Sequence, residues 1–158
     1  VTEPAITLAI DPGGITGVAW CAGDDPTVAG ASVGGEVPGG RFGFYDWFGA
    51  FVERGYPFKA IICEDFLVTA KTAQLTQQPD AMRVIGYLEA WTHQHGVPFV
   101  LQTPSTAKSF ATNPKLRHFG WYTSSAGGHS NDAFRHLLTY LAVRDRNPHV
   151  LDHLKALA

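Results

Sequence analysis

The sequence predicts a mixed α/β domain, a sheet with helices on its faces. Three observations predict it. Short apolar runs of strand length alternate with segments of helical periodicity. They come in the order three strands, helix, strand, helix, strand, helix, and such alternation favours a sheet with parallel neighbours covered by helices. The 158 residues suit one domain, residues 1–158, able to bury its own core.

Residues 5–11 form an apolar run that ends in Asp11, and Pro12-Gly13-Gly14 then marks a turn. Residues 15–21 read as a second strand, so a hairpin is expected. A third strand is expected near residues 28–33, with a flexible loop at about 34–40, where Gly is dense. Phe44, Trp47, Phe48, Phe51 and Val52 recur at helical spacing, and Gly55-Tyr56-Pro57 stops that helix. Residues 59–66 form another strand, with Glu64 and Asp65 near its end. Residues 67–79 are polar and loop-like. Residues 81–95 read as a helix with Met82, Ile85, Leu88 and Trp91 on one face, ended by Gly96. A short strand over 97–102 precedes short helices at 104–110 and 114–119. A loop at 124–128 leads into a strong helix from about 130 to 144, and Asn147-Pro148 breaks it before a small helix at 150–157.

Composition excludes some classes. No apolar run approaches the roughly 18 residues that span a bilayer, so no membrane partner is expected. The first residues, Val-Thr-Glu-Pro, do not read as a secretion leader. Cys21 and Cys63 lie in separate strand-like runs and make no zinc motif; two buried free thiols are expected, in keeping with a cytoplasmic setting. The net charge of −2 is low for a nucleic-acid binder, but acids gathered at one metal site would mask a local excess of cations.

The chemistry is carried by acids at element ends. Asp11 ends an apolar strand, where a carboxylate is costly to bury without a cation or donors. Glu64 repeats that pattern after Ile61-Ile62-Cys63, and strand alternation sends Asp65 to the opposite face. His129 and Asp132 stand three apart at a helix start, on one side of its first turn. Each has a plain structural reading: Asp11 in a turn, Glu64 reaching solvent, Asp132 stabilising a helix N-terminus, His129 solvated. Together they make a carboxylate-rich set whose oxygen donors suit Mg²⁺ or Mn²⁺ rather than zinc.

These motifs resemble those of RuvC-type Holliday junction resolvases. Leu8-Ala9-Ile10-Asp11-Pro12-Gly13 followed by Thr16-Gly17 looks like that family's opening, Ile62-Cys63-Glu64 like its second acid, and His129-x-x-Asp132-Ala133 like its closing motif. Order and spacing fit along almost the whole chain, and the compact size and Gly-rich segment resemble phage or actinobacterial members. The resemblance implies an RNase H-like fold whose central five-stranded sheet has three antiparallel strands followed by two parallel ones. It implies a cytoplasmic, Mg²⁺-dependent homodimer, with residues 81–95 as the main dimer contact, that nicks both strands of a four-way junction. It also implies that Asp11 bridges two ions about 4 Å apart, Glu64 and Asp132 hold one each, and His129 binds an ion or orients the water, leaving a 5′-phosphate and a 3′-hydroxyl. Mn²⁺ would substitute.

The expected DNA contacts are Lys71, Lys108, Lys115, Arg117 and Arg135 at phosphates, Lys108 foremost because the family carries a lysine after its fifth strand. Phe66 lies near the position of the family's junction-inserting aromatic residue, which Leu67 occupies here. Trp121 and Tyr122 can stack on bases or pack. Three other readings stand beside this one. A related nuclease could act on flaps, forks or RNA–DNA hybrids. An RNase H-like module could bind without cutting. Actin-like ATPases share the acid, glycine turn and Thr-Gly hairpin, but need a duplicated domain that 158 residues cannot supply.

Overall fold

In the computed structural model, residues 2–67, 69–71, 80–124 and 127–158 are described. Parts of the expected loops at 67–79 and 124–128 therefore lie outside the described residues. The strands are β1 (Ile6–Asp11), β2 (Thr16–Ala22), β3 (Ser32–Val37), β4 (Phe58–Glu64) and β5 (Phe99–Gln102). The helices described are α1 (Gly40–Val52), α2 (Asp80–His95), α3 (Pro104–Phe110), α4 (Asn113–His118), α5 (His129–Thr139) and α6 (Pro148–Lys155). The sheet order is β3-β2-β1-β4-β5. β1, β2 and β3 pair antiparallel with one another, and β4 joins β1, and β5 joins β4, in parallel. The five-stranded mixed sheet flanked by helices is thus as expected.

Alternation along each strand divides the core between two faces. Ile6, Leu8 and Ile10 of β1 and Ile61 and Cys63 of β4 meet Phe44, Phe48 and Phe51 of α1 and Val84 and Leu88 of α2. Ala9, Ala19, Cys21, Ala60 and Ile62 point the other way, against Ala133, Phe134, Leu137 and Leu138 of α5. Both cysteines are buried and free. Burial pushes the Cys21 thiol up to about 11, so it stays protonated and inert.

Four local expectations change. The third strand lies at 32–37, not 28–33, and Gly34-Gly35 sits inside it rather than in a loop. A glycine pair weakens a strand signal, but Gly34 is required here, because a Cβ would overlap the Phe134 ring of α5. On α2 the buried positions are Ala81, Val84, Leu88 and Thr92, and Met82 is 52% exposed. The apolar stripe is therefore turned from the expected one, although Ile85 and Trp91 still pack at its margin. The long last helix is α-helical only to Thr139. It continues as a π-helical turn, Tyr140–Arg144, closed by Asp145 N–H donating to the Tyr140 carbonyl. Among the described residues no helix is long and apolar enough to cross a membrane.

Candidate active site

The registers of the five strands define one row across the sheet. Asp11 pairs with Gly17, Gly17 with Glu36, and Glu64 with Gln102. Ile10 pairs with Cys63, so the next step of that parallel register sets Asp11 and Glu64 abreast. The row is Glu36, Gly17, Asp11, Glu64, Gln102, read from β3 to β5. In-register residues on adjacent strands share a face. This row faces α5, as the hydrogen bonds below demonstrate.

Helix α5 packs across this face of the sheet. Its first residue, His129, sits over Gly17, where any Cβ would overlap the His129 backbone. The Glu36 carboxylate accepts the His129 backbone N–H at 3.0 Å. Gly128 precedes the helix in the left-handed region and supplies no side-chain cap, so Glu36 satisfies one orphan donor and sets a negative charge at the positive helix end. Asn131, buried in the same turn, holds the Thr123 backbone: its Oδ1 accepts from Thr123 N at 2.9 Å and its Nδ2 donates to Thr123 O at 2.7 Å.

His129, Asp132 and His136 fall at i, i+3 and i+7 on this helix, a single stripe. His129 Nδ1 lies 3.3 Å from Asp11 Oδ2. His136 Nε2 lies 2.8 Å from Glu64 Oε2, and its Nδ1 lies 3.0 Å from Gln102 Oε1. Asp132 is met by Arg135 Nε at 3.1 Å and by Lys108 Nζ at 3.6 Å.

Asp11 registers the concentration of charge. It is only 8% exposed, and burial, then the charges of Glu64 and Asp132, push its carboxyl up to about 7 against the pull of His129. The expected acids thus lie within electrostatic reach of one another, although distant in sequence. In this conformation their oxygens turn to His129, His136, Lys108 and Arg135. Among the described residues no three His, Cys, Asp or Glu side chains close around a single point as a metal cage.

The donor set nonetheless fits a hard divalent cation. Ionising Asp11 beside Glu64 and Asp132 at neutral pH calls for positive charge among them, and the donors are carboxylate oxygens. Mg²⁺ is held by one or two carboxylates together with waters and substrate phosphates, so a complete protein cage is not required.

The expected cations separate. Lys108 stands beside Asp132, at the edge of an open hollow of about 550 Å³ that it lines with Thr112, Asn113, Pro114 and Arg135. Arg135 is not a free phosphate contact: besides Asp132 it donates to Ala111 O at 2.7 Å and Asn113 Oδ1 at 2.6 Å, clamping the α3–α4 junction to α5. Lys115 donates to Phe110 O at 2.7 Å, and Arg117 lies over the Tyr122 ring at 4.4 Å. Lys71 is exposed, Phe66 is half-buried and Leu67 is exposed. Trp121 is buried between Phe119 and Phe134, so it packs and presents no face to a base.

Two residues of the site escaped sequence reasoning. Glu36 lies in the segment read as a loop, and its signal is visible only once β3 is paired with β2. His136 looked like an ordinary helix residue; its spacing of seven from His129 was the available signal.

A comparison with protein-family models finds no match for the chain, and a comparison with curated proteins finds none. Among solved structures, T. thermophilus RuvC in complex with a Holliday junction substrate is similar, at a TM-score of 0.63 and 18% identity, covering 92% of this chain and 97% of that one. At that identity the likeness establishes the fold: the chain has the RNase H-like architecture of RuvC.

Proposed function

We propose that this protein is a divalent-metal-dependent endonuclease that nicks branched DNA, with four-way junctions as its main substrate. One observation carries the reading. Asp11 and Glu64 stand abreast at adjacent strand ends with Asp132 approaching from α5, and burial, then the charges of Glu64 and Asp132, push the Asp11 carboxyl up to about 7. The RNase H-like architecture, shared with a RuvC bound to a Holliday junction, supports the choice of substrate.

In this reading Asp11, Glu64 and Asp132 hold Mg²⁺, two ions per site, with Mn²⁺ able to replace it. When bound, such ions supply an activated water and stabilise the leaving oxygen of a phosphodiester. The protein groups do the rest. His129 lies against Asp11 and orients the incoming water or joins the ligands. Glu36 and Gly17 seat the start of α5 so that His129 and Asp132 face the row. Lys108 exchanges its contact with Asp132 for a substrate phosphate, freeing an Asp132 oxygen. Lys71, Lys115, Arg117 and Phe66 are proposed to contact DNA farther from the scissile bond, and phosphate contacts make binding fall steeply with salt. Paired cuts in a four-way junction call for a homodimer, with α2 proposed at its interface. A cytoplasmic bacterial or phage-infected setting suits this activity.

The test is a cleavage assay on an immobile four-way junction beside a flap, with Mg²⁺ or Mn²⁺ and Asp11→Asn as control. Symmetric paired nicks by the native protein, reduced roughly a thousandfold or more in Asp11→Asn with junction binding retained, are expected. A single cut confined to the flap would redirect the substrate assignment. Cleavage by Asp11→Asn at the native rate would overturn the site.

A further inference from the structure

Glu64 is held from behind. His136 is 1% exposed, on the side of α5 that otherwise buries Ala133, Leu137 and Leu138 against the sheet. Its Nε2 donates to Glu64 Oε2 at 2.8 Å, because an ionised carboxylate can only accept. Its Nδ1 lies 3.0 Å from Gln102 Oε1, at the last residue of β5. With Nε2 as the donor to Glu64, Nδ1 accepts, and the Gln102 amide satisfies it by turning its NH₂ group to that place. Gln102 is itself buried and lies in register with Glu64 on the neighbouring strand. The three side chains form a continuous chain from the edge strand to the candidate site. No described residue bonds the other Glu64 oxygen, Oε1.

We propose that His136, backed by Gln102, is a positioning residue that fixes the Glu64 carboxylate so that Oε1 is presented to a divalent cation shared with Asp11. The proposal rests on the reading of Glu64 as a metal ligand. Three physical points support it. A glutamate at a strand end has three side-chain torsions to lose on binding an ion, and a bond to a buried, packed ring removes that freedom beforehand. The imidazole cannot drift, because one nitrogen is tied to β4 and the other to β5, while its backbone belongs to α5. An imidazole within an apolar helix face costs stability relative to a leucine unless its polar atoms are used, and here both are used. Metal-ligating carboxylates are in turn oriented by such hydrogen bonds, and removing the partner typically weakens metal affinity by about ten- to a hundredfold.

The experiment measures Mn²⁺ binding to the full chain by calorimetry, without DNA, alongside urea denaturation in EDTA. His136→Leu fills the space and removes both polar atoms; it is expected to weaken Mn²⁺ binding about ten- to a hundredfold. His136→Gln, whose amide can still donate to Glu64, is expected to recover most of that loss. Gln102→Leu is expected to fall between them. Cleavage by His136→Leu should show a raised Mg²⁺ requirement, with the rate at saturating Mg²⁺ largely restored. Unchanged Mn²⁺ affinity in His136→Leu overturns the proposal, as does a folded His136→Gln no better than Leu. If His136→Leu does not fold, Gln102→Leu decides, and native affinity in that variant overturns the proposal. The two readings fail separately. A native protein that binds Mn²⁺ with this dependence on His136 yet cuts no DNA loses the nuclease assignment and keeps this one. A native protein that cuts junctions with a metal affinity indifferent to His136 does the reverse.

Discussion

The two faces of the sheet are built to different rules. Under α1 and α2 the side chains are large: Leu8, Ile10 and Ile61 meet Phe44, Phe48 and Phe51, with Trp20, Trp47, Phe58 and Trp91 around them. Phe48 alone contacts the rings of Phe44, Phe58, Tyr87 and Trp91. Under α5 most of the strand residues are small, with Ala9, Ala19, Ala60, Gly17 and Gly34 letting the helix approach closely. That closeness brings His129, Asp132 and His136 within reach of the carboxylate row. One face supplies stability through apolar area; the other accepts glycines and crowded acids in return for a site. Stability and chemistry should therefore respond to substitution in opposite proportions on the two faces.

The largest effect on stability is expected from Phe48→Ala. The side chain is fully buried, and its removal should cost about 3–5 kcal/mol in urea denaturation while leaving the Mn²⁺ affinity of the folded fraction near native. An equal loss of metal affinity would mean that the faces are not separable.

Gly17→Ala should reverse the proportion. The added methyl overlaps the His129 backbone and must push the start of α5 off the row. Overpacking of this kind costs about 1–3 kcal/mol. Cleavage should fall further, by roughly a hundredfold, because both His129 and Asp132 are displaced from Asp11. A variant destabilised without a matching loss of cleavage would break the comparison.

The smallest effect is the pH dependence of the metal-free protein. Asp11 titrates at about 7 when folded against an ordinary value of 3.8, so the folded state holds an extra proton between those values. Stability then falls as pH rises through that window and levels off above about 7. Between pH 5 and 8 in EDTA the native protein should lose about 2 kcal/mol more than Asp11→Asn does. Saturating Mg²⁺ should shrink that difference, since a bound cation favours the ionised carboxylate. Parallel pH profiles of the two proteins in EDTA would show that burial and the neighbouring acids do not raise the Asp11 carboxyl.

Much of this was legible in local pattern. Asp11 and Glu64 stand out because each closes an apolar run, and burying a carboxylate there is costly without a purpose. The α1 helix stands out because Phe44, Phe48 and Phe51 repeat at the helical period. The third strand was misplaced because Gly34-Gly35 reads as flexibility until Phe134 is packed against it. The buried stripe of α2 was misjudged because Met82 and Val84 are equally apolar, and only the neighbours of α2 choose between them. Arg135 read as a phosphate contact because a cation's partner lies elsewhere in the chain, here at Ala111 and Asn113.

The sequence by itself determined the order of elements, the mixed sheet and the identity of the acids at its strand ends, because hydrophobic period and the cost of buried charge act within a few residues. Only the tertiary structure decided that Glu36, Gly17, Asp11, Glu64 and Gln102 form one row, and that His136 stands behind Glu64. Strand register and helix seating join residues as far apart as Glu36 and His129, and no local preference encodes those distances.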